Sequence, residues 1–330
     1  MWGVSSRFPG FESFGKEMLQ TPFRNIGFGA YAKTPKGPFP EYHLHGLRHT
    51  IRAAGIDGIH VDGGSTPELD ANELAGHRWF RDGEEHGTFP VFAMRDYLKR
   101  LCRLFQTECG QRAANNFGQG YGPMYYLDCF CDNRATGEAD YHRGKTLAEI
   151  FTPERFRAGY ITEPHGLRTT LHWWNWLRPP VFENQMQTIT ALHNVPRVVS
   201  GGNIQLFGKV RSYDAKANPW LQVFKITEPY KRLGEFHGYW ERRWIDVEPN
   251  TVYVSYHLLK EDNRALLVLG NWSSEELKVS FSVVLERLGL AGTIGEVRDA
   301  LLDEPIERQA GRWPLRIASQ SYRLVEVQGN

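Results

Sequence analysis

The chain has 330 residues, of which 41% are hydrophobic and 23% charged, and its formal net charge is +1. That composition is globular, and the length suits about two domains. The near-neutral charge gives no bulk attraction for nucleic acid, and no run of about 18 apolar residues is present to span a bilayer.

Residues 1–40 are rich in Gly, Pro and Phe and show little periodicity, with one short strand expected at Asn25–Ala30. A helical pattern with Leu44, Leu47 and Ile51 runs from about Glu41 to Ala54. The stretch Gly55-Ile-Asp-Gly-Ile-His-Val-Asp62 then reads as a short buried strand ending in a carboxylate. Alternation along a strand puts Ile59 and Val61 on one face and Gly58, His60 and Asp62 on the other. Gly63 and Gly64 permit a sharp turn after it. A long polar loop, Ser65–Phe89, follows. The next helix is expected from Pro90 to Glu108, with Thr88 as its N-cap and Phe92, Met94, Leu98, Leu101 and Phe105 as its apolar stripe.

Further on, Met124–Phe130 is expected to be a strand and Pro153–Ala158 a short helix. Tyr160–Glu163 and Thr169–Trp174 read as strand-like, Asn184–His193 as a helix, Arg197–Ser200 as a short strand and Pro219–Glu235 as the last clear helix. The texture changes near Pro249. Strands are expected at 252–259, 265–272, 277–283, 293–298, 315–317 and 322–327. Helix, strand, loop and helix in succession are the grammar of a β/α unit. The expected fold is therefore α/β: a TIM-type (β/α) barrel over residues 1–249, then an all-β sandwich over 250–330. About five or six barrel strands are countable, against eight in a closed barrel, so the barrel is expected to be incomplete.

The aromatic content is 13%, with ten Trp. Sugar rings stack their C–H faces on such side chains, although a large packed core uses them equally well. Cys102, Cys109, Cys129 and Cys131 lack zinc-finger spacing and read as free thiols, which favours a reducing, cytoplasmic compartment. The opening residues contain no apolar secretory core. No motif implies a cofactor, and nothing in the sequence sets an oligomeric state.

The order of these pieces resembles the family 123-like glycoside hydrolases, in which a β/α barrel carries a C-terminal β-sandwich. The motifs that carry the resemblance are Gly55–Asp62, Arg95–Arg103, Gly137-Glu138, Phe156-Arg157-Ala158 and Leu192-His193-Asn194, then Val252–Tyr256 and Leu266–Ser273. Family members bear an adjacent Asp-Glu pair at a strand end, whereas this chain has Asp62-Gly63. The resemblance implies a carbohydrate substrate and hydrolysis of a glycosidic bond.

Glycoside cleavage uses two carboxylates, one to protonate the leaving oxygen and one to attack or to stabilise the sugar cation. Asp62 is the candidate for the second role, its alternative being a strand-end Asp that caps the following loop. Glu138 is the candidate acid, with Glu163 its strongest competitor and Glu84 and Glu85 behind. Asp57, at the start of the strand, is read as structural. His60, Arg157 and His193 are candidate polar contacts to substrate. Trp174 and Trp176, beside Trp173, are candidate stacking surfaces, with a core role as the alternative. His60 and Asp62 also form half of a metal site that His43 and His45 would complete, but no spacing is diagnostic and no metal is expected. The rival reading is a barrel remnant that binds carbohydrate without cleaving it.

Overall fold

The computed structural model describes residues 3–5, 17–18, 25–27, 30–32, 34–61, 69–110, 114–118, 125–136, 147–161, 168–171, 180–195, 219–241 and 244–330. The chain divides into two compact units: Met1–Ala139 with Thr162–Thr170, and Asp140–Ile161 with Leu171–Asn330.

The first unit opens on three short strands, β1 (Gly3–Ser5), β2 (Asn25–Gly27) and β3 (Ala30–Ala32), paired antiparallel in the order β1-β3-β2. Helix α1 (Pro38–Ala54) starts with Pro38, whose missing N–H would be unbonded there in any case. It stops at Gly55, where φ is 65° and the amide donates to the Ile51 carbonyl. Strand β4 (Gly58–Val61) follows. A hairpin of β5 (Trp79–Arg81) and β6 (Glu84–His86) precedes helix α2 (Val91–Cys109). Strand β7 (Ala114–Gly118), helix α3 (Tyr125–Asp128), strand β8 (Asn133–Thr136) and strand β9 (Arg168–Leu171) complete the set, the first three residues of β9 belonging to this unit.

Four strands form one sheet in the order β4-β7-β8-β9, and β7 runs parallel to both β4 and β8. Ile59 and Val61 pack with Leu44, Leu47 and Ile51 of α1, Met94, Tyr97, Leu98, Leu101 and Phe105 of α2, and Leu127 of α3. Burying each such side chain stabilises the unit by about 1.5–3 kcal/mol before entropy is counted. The helix-facing side of β4 is thus the one alternation predicts, and His60, of opposite parity, is exposed.

Several local expectations change. Thr88 is no N-cap: its backbone pairs with Asp70 in both directions, and the helix begins after Pro90. Phe92 points away from the core and is 84% exposed. Tyr125–Asp128 is a helical turn where a strand was expected; the strand is β8, just beyond it. The 69–89 part of the expected polar loop has its own hairpin and buried polar centre.

The second unit holds helices α4 (Leu147–Ile150), α5 (Pro153–Tyr160), α6 (Pro180–Leu192) and α7 (Pro219–Leu233). Thr152 caps α5, its hydroxyl accepting the Arg155 amide at 3.1 Å. Then come β10 (Glu235–His237), β11 (Ile245–Glu248), β12 (Tyr253–Leu259), β13 (Arg264–Asn271) and β14 (Leu277–Val283). The short helix α8 (Leu285–Leu288) leads to β15 (Ile294–Asp299), β16 (Glu304–Pro305), β17 (Trp313–Ile317) and β18 (Ser321–Gly329). The expected tail strands appear with ends shifted by a residue or two, while β10 and β11 join the sheets from before Pro249.

These strands make a six-stranded sheet, β10-β12-β13-β18-β15-β16, and a three-stranded sheet, β11-β14-β17. Val254, Tyr256, Leu258, Ala265, Leu267, Leu269, Val325 and Val327 of the larger sheet share one core with Val247, Val279, Phe281 and Trp313 of the smaller. The intervening residues, Leu266, Val268, Tyr322 and Leu324, pack instead with Leu192 of α6 and Val223 and Tyr230 of α7. Covering both faces explains why β13 is apolar without alternation.

The Asn271-Trp272-Ser273 motif belongs to this packing. Asn271, fully buried, donates through Nδ2 to the Glu275, Ile317 and Ala318 carbonyls and accepts from Ser273. Trp272 donates from Nε1 to the Phe151 carbonyl at 3.1 Å.

Candidate functional site

The register of β4, β7 and β8 lines up three polar residues. His60 pairs with Asn116, and Asn116 pairs with Asn133. Asn133 Oδ1 accepts a hydrogen bond from Thr170 Oγ1 at 2.8 Å. One backbone row across β4, β7 and β8 therefore runs through His60, Asn116 and Asn133, and a side-chain hydrogen bond ties it to Thr170 of β9. The next row in register runs through Val61, Phe117 and Arg134. Arg134 is 1% exposed and lies 3.8 Å from the equally buried Asp128 carboxylate of α3.

The strand ends matter more for chemistry. Strand β4 stops at Val61, one residue before Asp62, and β8 stops at Thr136, two before Glu138. Because β4 and β8 both run parallel to β7, their carboxyl ends lie on the same edge of the sheet. Asp62 and Glu138 themselves lie outside the described residues, as do Glu163, Trp173, Trp174 and Trp176. The reason for expecting Glu163 to close a strand is weakened, since Tyr160 ends helix α5. Asp57 is exposed at the opposite, amino end of β4.

The connection from β4 to α2 is built around an acid–imidazole pair. Asp70 Oδ2 lies 2.6 Å from His77 Nδ1, and Thr34 Oγ1 lies 3.4 Å from the same nitrogen. All three residues are buried. Asp70 Oδ1 accepts the Asn72 amide, and Asn72 Oδ1 accepts the Ala75 amide. The β5–β6 hairpin follows this centre in the chain. Asp82 and Gly83, with φ of 54° and 82°, make its two-residue turn. Glu84 and Glu85 are exposed on its second strand.

The suggested metal ligands are dispersed. The Tyr97 hydroxyl bonds to His43 Nδ1 at 2.6 Å, and His43 stacks on Phe39. His45 pairs with His49 on the exposed side of α1. Among the described residues no group of three or more His, Cys, Asp or Glu suits a metal ion. The four cysteines are free thiols, and burial raises the Cys131 thiol well above its ordinary pKa.

Arg157 and His193 meet in the second unit around one indole. The Arg157 guanidinium lies 5.2 Å from the Trp240 ring, and His193 stacks on that ring at 5.6 Å. His193 is 3% exposed. Its Nδ1 faces the Ile189 carbonyl at 2.7 Å, and its Nε2 faces the Pro153 carbonyl at 3.0 Å and the Tyr239 hydroxyl at 3.3 Å. Burial lowers its pKa to about 4 despite the two carbonyls, which favour the charged form.

Sequence reading missed Asn133 and Thr170, which carry no local motif. It also missed the hairpin, although Asp82-Gly83 between Trp-Phe-Arg and Glu-Glu-His is a strong two-residue turn signal.

No protein-family model matches the sequence, and no curated protein matches it. Solved structures do match. An α-amylase from Geobacillus thermoleovorans, complexed with acarbose, superposes with a TM-score of 0.60 at 12% identity, over 99% of this chain and 76% of that one. A GH27 β-L-arabinopyranosidase from Geobacillus stearothermophilus gives 0.59 at 14% identity, over 95% and 67%. An α-galactosidase from Mortierella vinacea gives 0.55 at 11% identity, over 92% and 74%. The fold is glycoside hydrolase-like. In this chain β4, β7, β8 and β9 form the four-stranded sheet set out above. At such identities the likeness is one of architecture and carries no residue roles.

Proposed function

We propose that the chain hydrolyses a glycosidic bond with Asp62 and Glu138 as its carboxylate pair. The observation that carries this is the shared edge: Asp62 comes one residue after β4 and Glu138 two residues after β8, and both strands run parallel to β7. Barrel enzymes hold their chemistry at that end. Neighbouring strands lie about 4.8 Å apart, so β4 and β8 are separated by about 9.6 Å. Side chains converging from that separation reach the roughly 5–5.5 Å needed for retention, or 6.5–9.5 Å for inversion. Continued alternation would put Asp62 on the same face as His60. Strand alternation would put Glu138 with Arg134 on the other face, so the reading requires the chain to turn at Gly137, a residue that permits it.

Asp62 attacks or stabilises the anomeric carbon, and Glu138 delivers and retrieves the proton. Glu163 is the second choice of acid, because it precedes β9 instead of following a strand end. His60 hydrogen-bonds a sugar hydroxyl from the polar row. Trp174 and Trp176, which follow β9 in the chain, stack on the substrate. Of the pair at Trp240, Arg157 is exposed and available to a ligand, while the buried His193 stacks on the indole. The domains are a TIM-type barrel over residues 1–249 and a β-sandwich over 250–330, the latter joined by β10 and β11 from before that boundary. The motif order favours the family 123-like group within the glycoside hydrolases.

The rival reading is a remnant that binds carbohydrate without cleaving it. Turnover of a panel of aryl glycosides by wild type and by Asp62→Asn separates the two. The nearly isosteric change removes the charge that meets the transition state, and turnover should fall by about 100-fold or more with folding unchanged. Equal turnover in a folded variant removes Asp62 from the mechanism, and sugar binding without any turnover supports the remnant.

A further inference from the structure

We propose that Trp79 is a stacking platform for one sugar unit of a polysaccharide chain. This rests on the carbohydrate-active reading above and deepens it. Trp79 stands at the start of β5 and is 45% exposed. Its indole is held from two directions: Nε1 donates to the Gly87 carbonyl at 3.0 Å, and the His86 imidazole stacks on it at 4.5 Å and 23°. A solvent-facing ring fixed in this way is pre-organised, so little rotamer entropy remains to be lost when a ligand docks.

The rim is polar. Trp79 and Arg81 share a face of the hairpin, opposite His86 and Glu84 in register. An apolar ring beside a cation and a carboxylate matches a sugar, which offers a C–H face and a fringe of hydroxyls that donate and accept. Phe80, on the other face and 62% exposed, differs. Arg78 lies over its ring at 5.5 Å, itself held by Glu73 and Glu85. The hairpin belongs to the connection that leaves β4 at its carboxyl end and enters α2. Thus the platform lies on the chain segment that begins with Asp62.

The test is affinity electrophoresis of the full chain through native gels containing soluble starch, galactomannan or glucuronoxylan. Wild type should be retarded in at least one polymer. Trp79→Ala should weaken that affinity about ten-fold, Trp79→Tyr should keep most of it, and Phe80→Ala should keep all of it. The proposal is overturned if wild type migrates freely in every gel, if Trp79→Ala binds as well as wild type, or if Phe80→Ala loses as much. Should circular dichroism show Trp79→Ala unfolded, His86→Ala decides: it leaves the indole and removes its backing, so affinity should fall to an intermediate value, and an unchanged value sinks the idea. Aryl-glycoside turnover by wild type reports on the carboxylate pair alone. Retardation without turnover keeps the platform and removes hydrolysis; turnover without retardation does the reverse.

Discussion

Thr170 Oγ1 donates to Asn133 Oδ1 across 2.8 Å and so links β9 to β8 by side chains as well as backbone. The pair is half-buried and continues the polar row that starts at His60. Removing one partner leaves the other unsatisfied, which costs more than the net value of the bond. Thr170→Val and Asn133→Ala should each destabilise the chain by about 1–3 kcal/mol. In urea titrations the double variant should cost less than the sum by about 1 kcal/mol. Strict additivity would mean that the bond contributes nothing.

The row shows what the sequence could and could not convey. His60 was assigned its face correctly, because alternation with Ile59 and Val61 is a local signal. Its neighbours were not visible, because Asn133 and Thr170 come beside it only through pairing with β7. That strand, Ala-Asn-Asn-Phe-Gly, has no β-branched residue; its conformation is set by the strands on either side, which is where tertiary context overrides propensity. Tyr125–Asp128 misled in the other direction, since four aromatic-rich residues are too few to show a helical period. In contrast, Leu277–Val283 was readable to the residue: Val279, Phe281 and Val283 alternate inward with Lys278, Ser280 and Ser282 between them.

Gly270 exists for Leu192. A Cβ at Gly270 would sit 2.5 Å from Leu192 Cδ1 and 3.0 Å from its Cγ, and Leu192 is fully buried and has little room to retreat. Gly270→Ala should therefore destabilise by about 1–3 kcal/mol through overpacking, although alanine is ordinarily the better strand residue. Leu192→Ala alone should cost about 2–5 kcal/mol. Combined, they should cost clearly less than the sum, since each change relieves the other. A double variant at or beyond the sum, measured by urea unfolding, would refute the contact.

Two buried histidines predict acid sensitivity. Burial lowers His193 to about 4 and His257 to about 3, the latter helped by Lys231 and His237. The unfolded chain takes up these protons near pH 6.5. Between that value and the folded pKa values the unfolded state binds more protons, so stability falls as pH is lowered. The slope is about 1.4 kcal/mol per pH unit for each histidine. His257 Nδ1 meets no hydrogen-bond partner among the described residues, and the Phe236 ring lies 4.9 Å away. His257→Leu should then cost little at pH 7 and remove about half of the histidine slope between pH 6 and 5. An unchanged slope would assign the acid sensitivity to other groups.

The role of Glu138 can be separated from that of Glu163 by the leaving group. A general acid lowers the barrier by protonating the departing oxygen, so its removal harms a substrate in proportion to the basicity of that oxygen. Dinitrophenyl glycosides leave as stable anions and need little help, whereas alkyl glycosides leave as strong bases. If Glu138 is the acid, Glu138→Gln should slow alkyl-glycoside hydrolysis by about 100-fold to 10,000-fold and dinitrophenyl glycosides far less. The alkaline limb of the pH profile should disappear with it, because that limb reports the acid losing its proton. Glu163→Gln should show neither effect. The same leaving-group dependence in Glu163→Gln, with Glu138→Gln behaving as wild type, would transfer the role and with it the meaning of the β4–β8 edge. Gly137 gives a second handle on the same point. The proposed geometry needs a turn there to bring Glu138 to the face of His60. Gly137→Val should therefore reproduce the Glu138→Gln signature, with the alkyl substrate suffering more than the dinitrophenyl one. A uniform loss on both substrates would point to misfolding instead, which circular dichroism would register.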